Sequence, residues 1–401
     1  MLLNEELERI IIKQQEDLQK DLGVIRTHTL PYNPRMALII SGIRRCGKST
    51  LARQFLQHQK PIYYLQFEDI QLADFALVDF TKLEESFKKI LGPNGVFFFD
   101  EIQIITGWEQ YIRNLVDKEK QVVLTGSNAS MLSKELGTKL TGRHITTELY
   151  PFSYKEFLEL RKKSHSKQQF QDYLQKGGFP EYLKSEDTHV LKNLFQDIFF
   201  RDVMQRNDLR NELAIKTLLK FLLSNIGKEL SYNKLKQLID VGSVNSISQF
   251  IDHFEQAYLL FAIKKYDCSL KKQLVNPKKI YCVDTGIVNE NSFMFSENKG
   301  RLLENLVFIE LKRKEKEIFY HKNTYECDFL IKEKNTIIQA LQVCTVLNEE
   351  NKKREIQGLL EAMHVHKLKE GLILTQDQEE ELLIENKKIL VKPIWKWLLH
   401  E

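Results

Sequence analysis

The chain has 401 residues, 42% apolar and 28% charged, which is the composition of a folded globular protein and argues against disorder. Its 59 basic and 55 acidic residues leave a formal charge of +4, too balanced to signal a nucleic-acid binder by itself. Five scattered cysteines without CxxC spacing argue against a disulfide framework or a zinc site and fit a reducing cytosol.

Residues 1–30 predict an N-terminal surface helix, with Leu3, Leu7, Ile10, Ile11 and Leu18 at roughly helical spacing. Charges run through this stretch, so it does not read as a signal peptide. No apolar run approaches the ~18–20 residues of a membrane span. The expected location is cytoplasmic, with no membrane partner. Pro31 and Pro34 break the helical pattern. Across residues 31–150, MALIISG, PIYYLQFED, GVFFFDEIQ and QVVLTGSN read as buried strands, and the helix LARQFLQH follows the first. Strands alternating with helices predict a parallel α/β sheet.

Residues 151–213 read as a helical linker or lid, punctuated by the turn KGGFP. Residues 214–290 read as helix, turn, two short helices and two strands, AYLLFAIKKY and KKIYCVD, the order of a winged-helix module. Residues 300–401 begin with the long helix RLLENLVFIELKRK. Strands in IFYHK, ECDFLIK and IIQALQVCTV, a helix near 350–366 and the strand GLILT complete a small α/β domain.

The segment Gly42-Ile43-Arg44-Arg45-Cys46-Gly47-Lys48-Ser49, followed by Thr50, matches G-x-x-x-x-G-K-[ST] between a strand and a helix. Its glycines let backbone N–H groups turn toward a phosphate. Lys48 would reach the β- and γ-phosphates, and Ser49 would hold Mg²⁺ at the helix N-terminus. A buried strand ending in two acids needs a reason, because charge there faces desolvation. Asp100 would bind Mg²⁺ through water, and Glu101 would polarise the attacking water. Ser127 or Asn128, after the fourth strand, stands where a residue would orient that water; an ordinary turn or cap is the alternative. Arg143 would stabilise transition-state charge within the chain or on a neighbour; a surface arginine is the alternative. No GTP-specific acidic motif is apparent, so ATP with Mg²⁺ is expected.

In order, the chain contains GIRRCGKST, IYYLQFED, FFFDEIQ, LTGSNASML, LTGRHITTELYPFSYKEF, GGFPEYL, RDV, LLENLVFIEL and ECDFLI. Over most of its length it resembles a prokaryotic family that joins an AAA-type ATPase domain to a C-terminal domain of unknown function, nuclease-like in fold. That resemblance implies an ATPase and a homo-oligomer. The expected fold class is α/β: a P-loop NTPase parallel sheet, then the winged-helix module, then the nuclease-like domain.

Two features bear on what the ATPase would act upon. In the winged-helix segment, Ser231 and then Ser246 or Asn245 are expected helix caps. Ser248, Gln249 and Asp252 are expected on the exposed helix face, which is polar but not basic. Lys264, Lys265, Lys271, Lys272, Lys278 and Lys279 are expected near the wing, available to phosphates, so DNA is a candidate partner. A structural or subunit-contact role is the alternative.

In the C-terminal segment, the resemblance is to the PD-(D/E)xK core, which uses a helix glutamate, a strand aspartate and an acid-x-lysine. Glu304 and Asp328 occupy the first two positions, but the third motif reads Gln342-Val343-Cys344. A neutral glutamine and a cysteine make the site look degraded, although Glu326 could replace one carboxylate. His321 is read as a surface or core histidine. The expected activity is ATP hydrolysis driving conformational change, with DNA or another macromolecule as the object. The alternative is a nucleotide-switched binding protein that hydrolyses slowly.

Overall fold

The computed structural model describes residues 3–19, 21–59, 61–129, 140, 142–239, 243–292 and 299–400. It divides into two compact units, Met1–Leu149 with Gln256–Tyr258, and Tyr150–Glu255 with Leu259–Glu401.

In the first unit the order is α1 (Asn4–Gln15), β1 (Ala37–Gly42), α2 (Lys48–Leu56), β2 (Ile62–Gln66), α3 (Phe80–Leu91), β3 (Val96–Asp100), α4 (Trp108–Asp117), β4 (Val122–Gly126) and β5 (His144–Leu149). The strands form one parallel sheet in the order β2-β3-β4-β1-β5, so β5 extends the four expected. A central parallel strand is covered on both faces. That is why Phe97, Phe98 and Phe99 in β3 are all buried, each worth about 1.5–3 kcal/mol. Leu7, Ile10 and Ile11 of α1 enter the same core as Tyr63, Phe87 and Phe97, where Tyr63 stacks on Phe87 with centroids 5.0 Å apart.

Register decides which strand ends meet. Ser41 lies beside Gly126, Phe99 beside Leu124, and Gln66 beside Asp100. The segments leaving β1, β3 and β4 therefore emerge from one edge of the sheet. Residues 130–132 of LTGSNASML and Thr141 of LTGRH lie outside the described residues.

The second unit opens with helices α5 (Tyr154–Arg161), α6 (Lys167–Lys176), α7 (Pro180–Ser185) and α8 (Thr188–Asp197), which runs into a π-helix at Ile198–Gln205. Then come α9 (Glu212–Ser224), β6 (Glu229–Leu230), α10 (Tyr232–Leu238), α11 (Val244–Gln256), β7 (Leu260–Lys265), α12 (Leu270–Val275), β8 (Lys278–Cys282) and α13 (Thr285–Asn291). After these follow α14 (Lys299–Arg313), β9 (Glu317–Lys322), β10 (Glu326–Glu333), β11 (Thr336–Val343), α15 (Lys352–Val365), β12 (Glu370–Thr375), β13 (Glu380–Ile384), β14 (Lys387–Pro393) and α16 (Ile394–His400).

Nine strands form one sheet in the order β13-β14-β12-β11-β10-β9-β7-β8-β6. The segments expected as a winged helix and as a separate α/β domain thus share a sheet, joined where β7 runs parallel to β9. Along β10, Cys327 joins an apolar cluster with Leu359 and Met363 of α15, while the next residue, Asp328, projects from the other face. The capping expectations need adjustment. Ser231 precedes α10 but makes no side-chain cap bond. For α11 the cap is Ser243, whose hydroxyl accepts the Ser246 N–H at 3.1 Å, rather than Ser246 or Asn245. Gln249 and Asp252 are exposed as expected, and Ser248 is half-buried. Val241 and Gly242 of the expected turn lie outside the described residues.

Candidate nucleotide site

The loop between β1 and α2 is shaped by glycine and closed by its own side chains. Gly42 has φ 153°, and a Cβ there would overlap the Leu149 carbonyl oxygen, so β5 approaches too closely for any side chain. Ile43 and Cys46 point inward and are fully buried; the Cys46 thiol donates to the Leu149 carbonyl at 3.3 Å. Burial pushes that thiol's pKa up, so it is a neutral packing group. Arg45 is exposed in the left-handed region at φ 60°. Arg44 reaches Glu68, after β2, at 2.8 Å. Thr50 follows Ser49 in the first turn of α2 and is half-buried.

The expected site residues gather at the shared sheet edge. Lys48 is buried, and its ammonium donates to the carbonyls of Gly42 and Ile43, both at 3.1 Å. The same ammonium is 3.6 Å from Glu101 Oε1. Ser127 donates to Glu101 Oε2 at 3.1 Å, and Gln103 donates to the same oxygen. Burial raises the Glu101 pKa, but Lys48, Arg44 and these hydrogen bonds outweigh it, so the carboxyl lies below its usual value. Its backbone sits at φ 54°, a left-handed conformation that costs a non-glycine residue about 1 kcal/mol and recurs at functional sites. Asn128 is buried beside Ser127.

Asp100 is held differently. Its carboxylate accepts hydrogen bonds from Ser49 and Thr125. Burial first, and then the Glu101 charge, push its pKa up to about 6. The folded state holds this proton more tightly than the unfolded chain, so ionising Asp100 costs stability. That cost is absent below pH ~4, grows between pH ~4 and 6, and is complete above pH 6. Asp100→Asn should therefore raise the melting temperature at pH 7, by a few degrees for a gain of order 1–3 kcal/mol, and leave it unchanged near pH 4. Thermal unfolding of both proteins across that range is the check; an equal gain at both pH values contradicts it.

Arg143 is the expected residue that does not join this group. It precedes β5, where His144 pairs with Ala37 at the start of β1. At ~3.3 Å per residue along β1, that is about 20 Å from the loop. Its guanidinium is exposed and ion-paired with Asp117. Arg26, absent from the sequence reading, does join it. This buried side chain donates from Nη1 to the Cys46 carbonyl at 2.8 Å, placing a fixed positive charge behind the phosphate loop. Residues 22–26 are held along α2 by Gln54, whose amide donates to the carbonyls of Leu22 and Val24. No local pattern marks Arg26, because its role depends on a segment with no regular structure crossing a distant loop.

Residues 34–158, which span this site, match the family described as AAA domain, and residues 167–297 match a Domain of unknown function (DUF8612). Two relatives align over nearly the whole chain. An uncharacterized protein of Methanocaldococcus jannaschii is 34% identical over 98% of this chain and 95% of its own. An uncharacterized protein of Haemophilus influenzae is 30% identical over 90% of this chain and 94% of its own. The chain belongs to this family of AAA-domain proteins. The crystal structure of Cdc6p from Pyrobaculum aerophilum aligns with 76% of this chain and 93% of its own at 11% identity; its TM-score of 0.27 is too low to relate the folds. The AAA domain makes this a nucleotide-binding protein of ATPase type, and among the described residues no helix is long and apolar enough to cross a membrane.

Elsewhere in this family member, the acids expected on α14 and β10 also meet, but around a lysine. The Lys279 ammonium, from β8, lies 3.1 Å from Glu304, 2.7 Å from Glu326 and 3.0 Å from Asp328. Lys279 was expected on the exposed wing; instead it is fully buried, because β8 is an inner strand whose neighbours are β7 and β6. Gln342 is engaged by the chain itself: its oxygen accepts the Asp328 N–H at 3.2 Å, and its amide donates to Glu355 at 2.6 Å. Cys344 packs in the apolar cluster, with its thiol pushed up to about 12 by burial. His321 is buried and bonded to Glu361 at 2.9 Å, a core histidine.

Proposed function

We propose that residues 31–150 bind ATP with Mg²⁺ and hydrolyse it to ADP and phosphate, and that hydrolysis drives a conformational change. The observation that carries this reading is the convergence of Lys48, Ser49, Asp100, Glu101 and Ser127 at one sheet edge, with Glu101 kept ionised by Lys48. The Ser49 hydroxyl and Asp100 carboxylate are adjacent hard oxygen donors, which suits Mg²⁺. Ser49 would hold the ion directly and Asp100 through water, and the ion would supply positive charge against the phosphates.

The chain's own groups would do the rest. Lys48 would turn from the loop carbonyls to the β- and γ-phosphates. The loop N–H groups and the start of α2 would receive the remaining phosphate charge. Glu101, an ionised base, would take a proton from the attacking water. Ser127 and Asn128 would fix the direction of that water. Arg143, far from its own loop, would act on a neighbouring copy, so the reading includes a homo-oligomer.

The order helix, strand, two helices, then two strands with the short α12 between them, across residues 212–282, supports a winged-helix module. Exposed Lys271 and Lys272 on α12 support DNA as the object of the conformational change. The test is phosphate release from ATP by the purified chain, with and without Mg²⁺ and with and without duplex DNA. Mg²⁺-dependent turnover stimulated by DNA, with the stimulation lost at high salt, is expected. No turnover refutes the ATPase, and turnover indifferent to DNA refutes only the DNA role.

A further inference from the structure

The C-terminal resemblance implies a Mg²⁺ site in which carboxylates from a helix and a strand converge. The carboxylates do converge in the second unit, beside a cavity of about 600 Å³ that Arg301, Glu304, Lys322, Glu326, Asp328 and Arg354 help to line. The residues present do not fit the metal. We propose that Lys279 is the resident cation of this pocket, standing where a divalent ion would sit and making the pocket metal-independent.

Three observations carry the proposal. The first is stoichiometry. An ammonium has three N–H donors. Lys279 lies within hydrogen-bonding distance of one oxygen on each of three different carboxylates, at 2.7, 3.0 and 3.1 Å. These are ammonium–carboxylate distances, whereas Mg²⁺ binds oxygen at about 2.0–2.1 Å and Ca²⁺ at about 2.3–2.6 Å.

The second is that the same carboxylates are also held by other donors of the chain. Tyr281 donates to Glu304 Oε1 at 2.6 Å. The Val343 N–H donates to Asp328 Oδ2 at 3.0 Å, and Lys322 to Glu326 Oε2 at 3.1 Å. A metal would have to compete with every one of these bonds. Among the described residues no group of three His, Cys, Asp or Glu side chains suits a metal ion.

The third is charge. Glu304, Glu326, Asp328 and Glu355, with Glu229 on Lys322 at 2.5 Å, are met by Lys279, Lys322, Arg354 and Arg301, so all but about one of the negative charges are already answered within the chain. Lys279 is buried, and a buried ammonium persists only when paired. Here three carboxylates pair it, and they hold its proton firmly.

Manganese binding to the nucleotide-free full-length chain decides the question, read from loss of the free Mn²⁺ paramagnetic resonance signal. Wild type is expected to show no Mn²⁺ site that Asp328→Asn removes. Lys279→Met is expected to gain about one Mn²⁺ per chain, at least tenfold tighter than wild type, and Lys279→Met with Asp328→Asn to lose it. A stoichiometric wild-type site abolished by Asp328→Asn overturns the proposal. So does a folded Lys279→Met protein that binds no better than wild type. Should Lys279→Met fail to fold, the wild-type and Asp328→Asn titrations still decide. Any ion at the nucleotide site is insensitive to Asp328→Asn and is subtracted by that comparison.

Discussion

Replacing Glu101 by glutamine is expected to lower the ATP turnover number by about 10²–10⁴-fold while leaving nucleotide binding intact. The change is nearly isosteric. Its side chain can keep the Ser127 contact, because a hydroxyl serves as donor or acceptor. What disappears is the carboxylate that Lys48 and Arg44 hold below its usual pKa, and with it the proton acceptor. Removing a negative charge from beside the phosphates should tighten ATP by a few-fold through lost repulsion. Phosphate release alongside a fluorescent-nucleotide titration separates the two effects. A variant that hydrolyses at the wild-type rate shows that Glu101 is not the base. A variant that no longer binds ATP shows instead that Glu101 shapes the loop.

Lys48→Ala is expected to weaken ATP binding about 10–100-fold, the loss of charged hydrogen bonds worth about 1.5–3 kcal/mol. Two further consequences follow from where the ammonium sits. The Gly42 and Ile43 carbonyls lose the donor that spans them at 3.1 Å, and Glu101 loses the ammonium 3.6 Å from its Oε1. The Glu101 pKa should then rise, since burial already pushes it up and the leading opposing charge is gone. Lys48→Ala should thus lose both binding and turnover, in contrast to Glu101→Gln, which loses turnover alone. Calorimetric titration with ATP is the direct measurement, and unchanged affinity rules out Lys48 as a phosphate ligand.

Much of the first unit was legible because each part advertises itself locally. MALIISG and GVFFFDEIQ are apolar runs ended by glycine or acids, and they became β1 and β3. Arg143 illustrates the limit. Its place in LTGRH offered transition-state stabilisation or a plain surface arginine, yet the parallel register of β5 with β1 carries it to the far edge. Lys279 is the complementary case. Among six lysines near a supposed wing nothing distinguished it, because its partners lie 25, 47 and 49 residues away on α14 and β10. Gln342 and Cys344 read as losses from a motif, and the structure gives them internal work instead: one braces Asp328 and Glu355, the other fills the core.

What the sequence determined by itself was the phosphate loop, the acid pair and the strands that bear them. Their chemistry resides in neighbours along the chain: glycines that permit the turn, a lysine at fixed spacing, and acids at the end of an apolar run. Tertiary structure alone decided which charged groups share a space. Parallel register gathered Lys48, Ser49, Asp100, Glu101 and Ser127 and excluded Arg143. A side chain's partners depend on which strands lie side by side, and sheet order joins residues that no local pattern relates. The same rule turned Lys279 from a surface charge into the centre of three carboxylates.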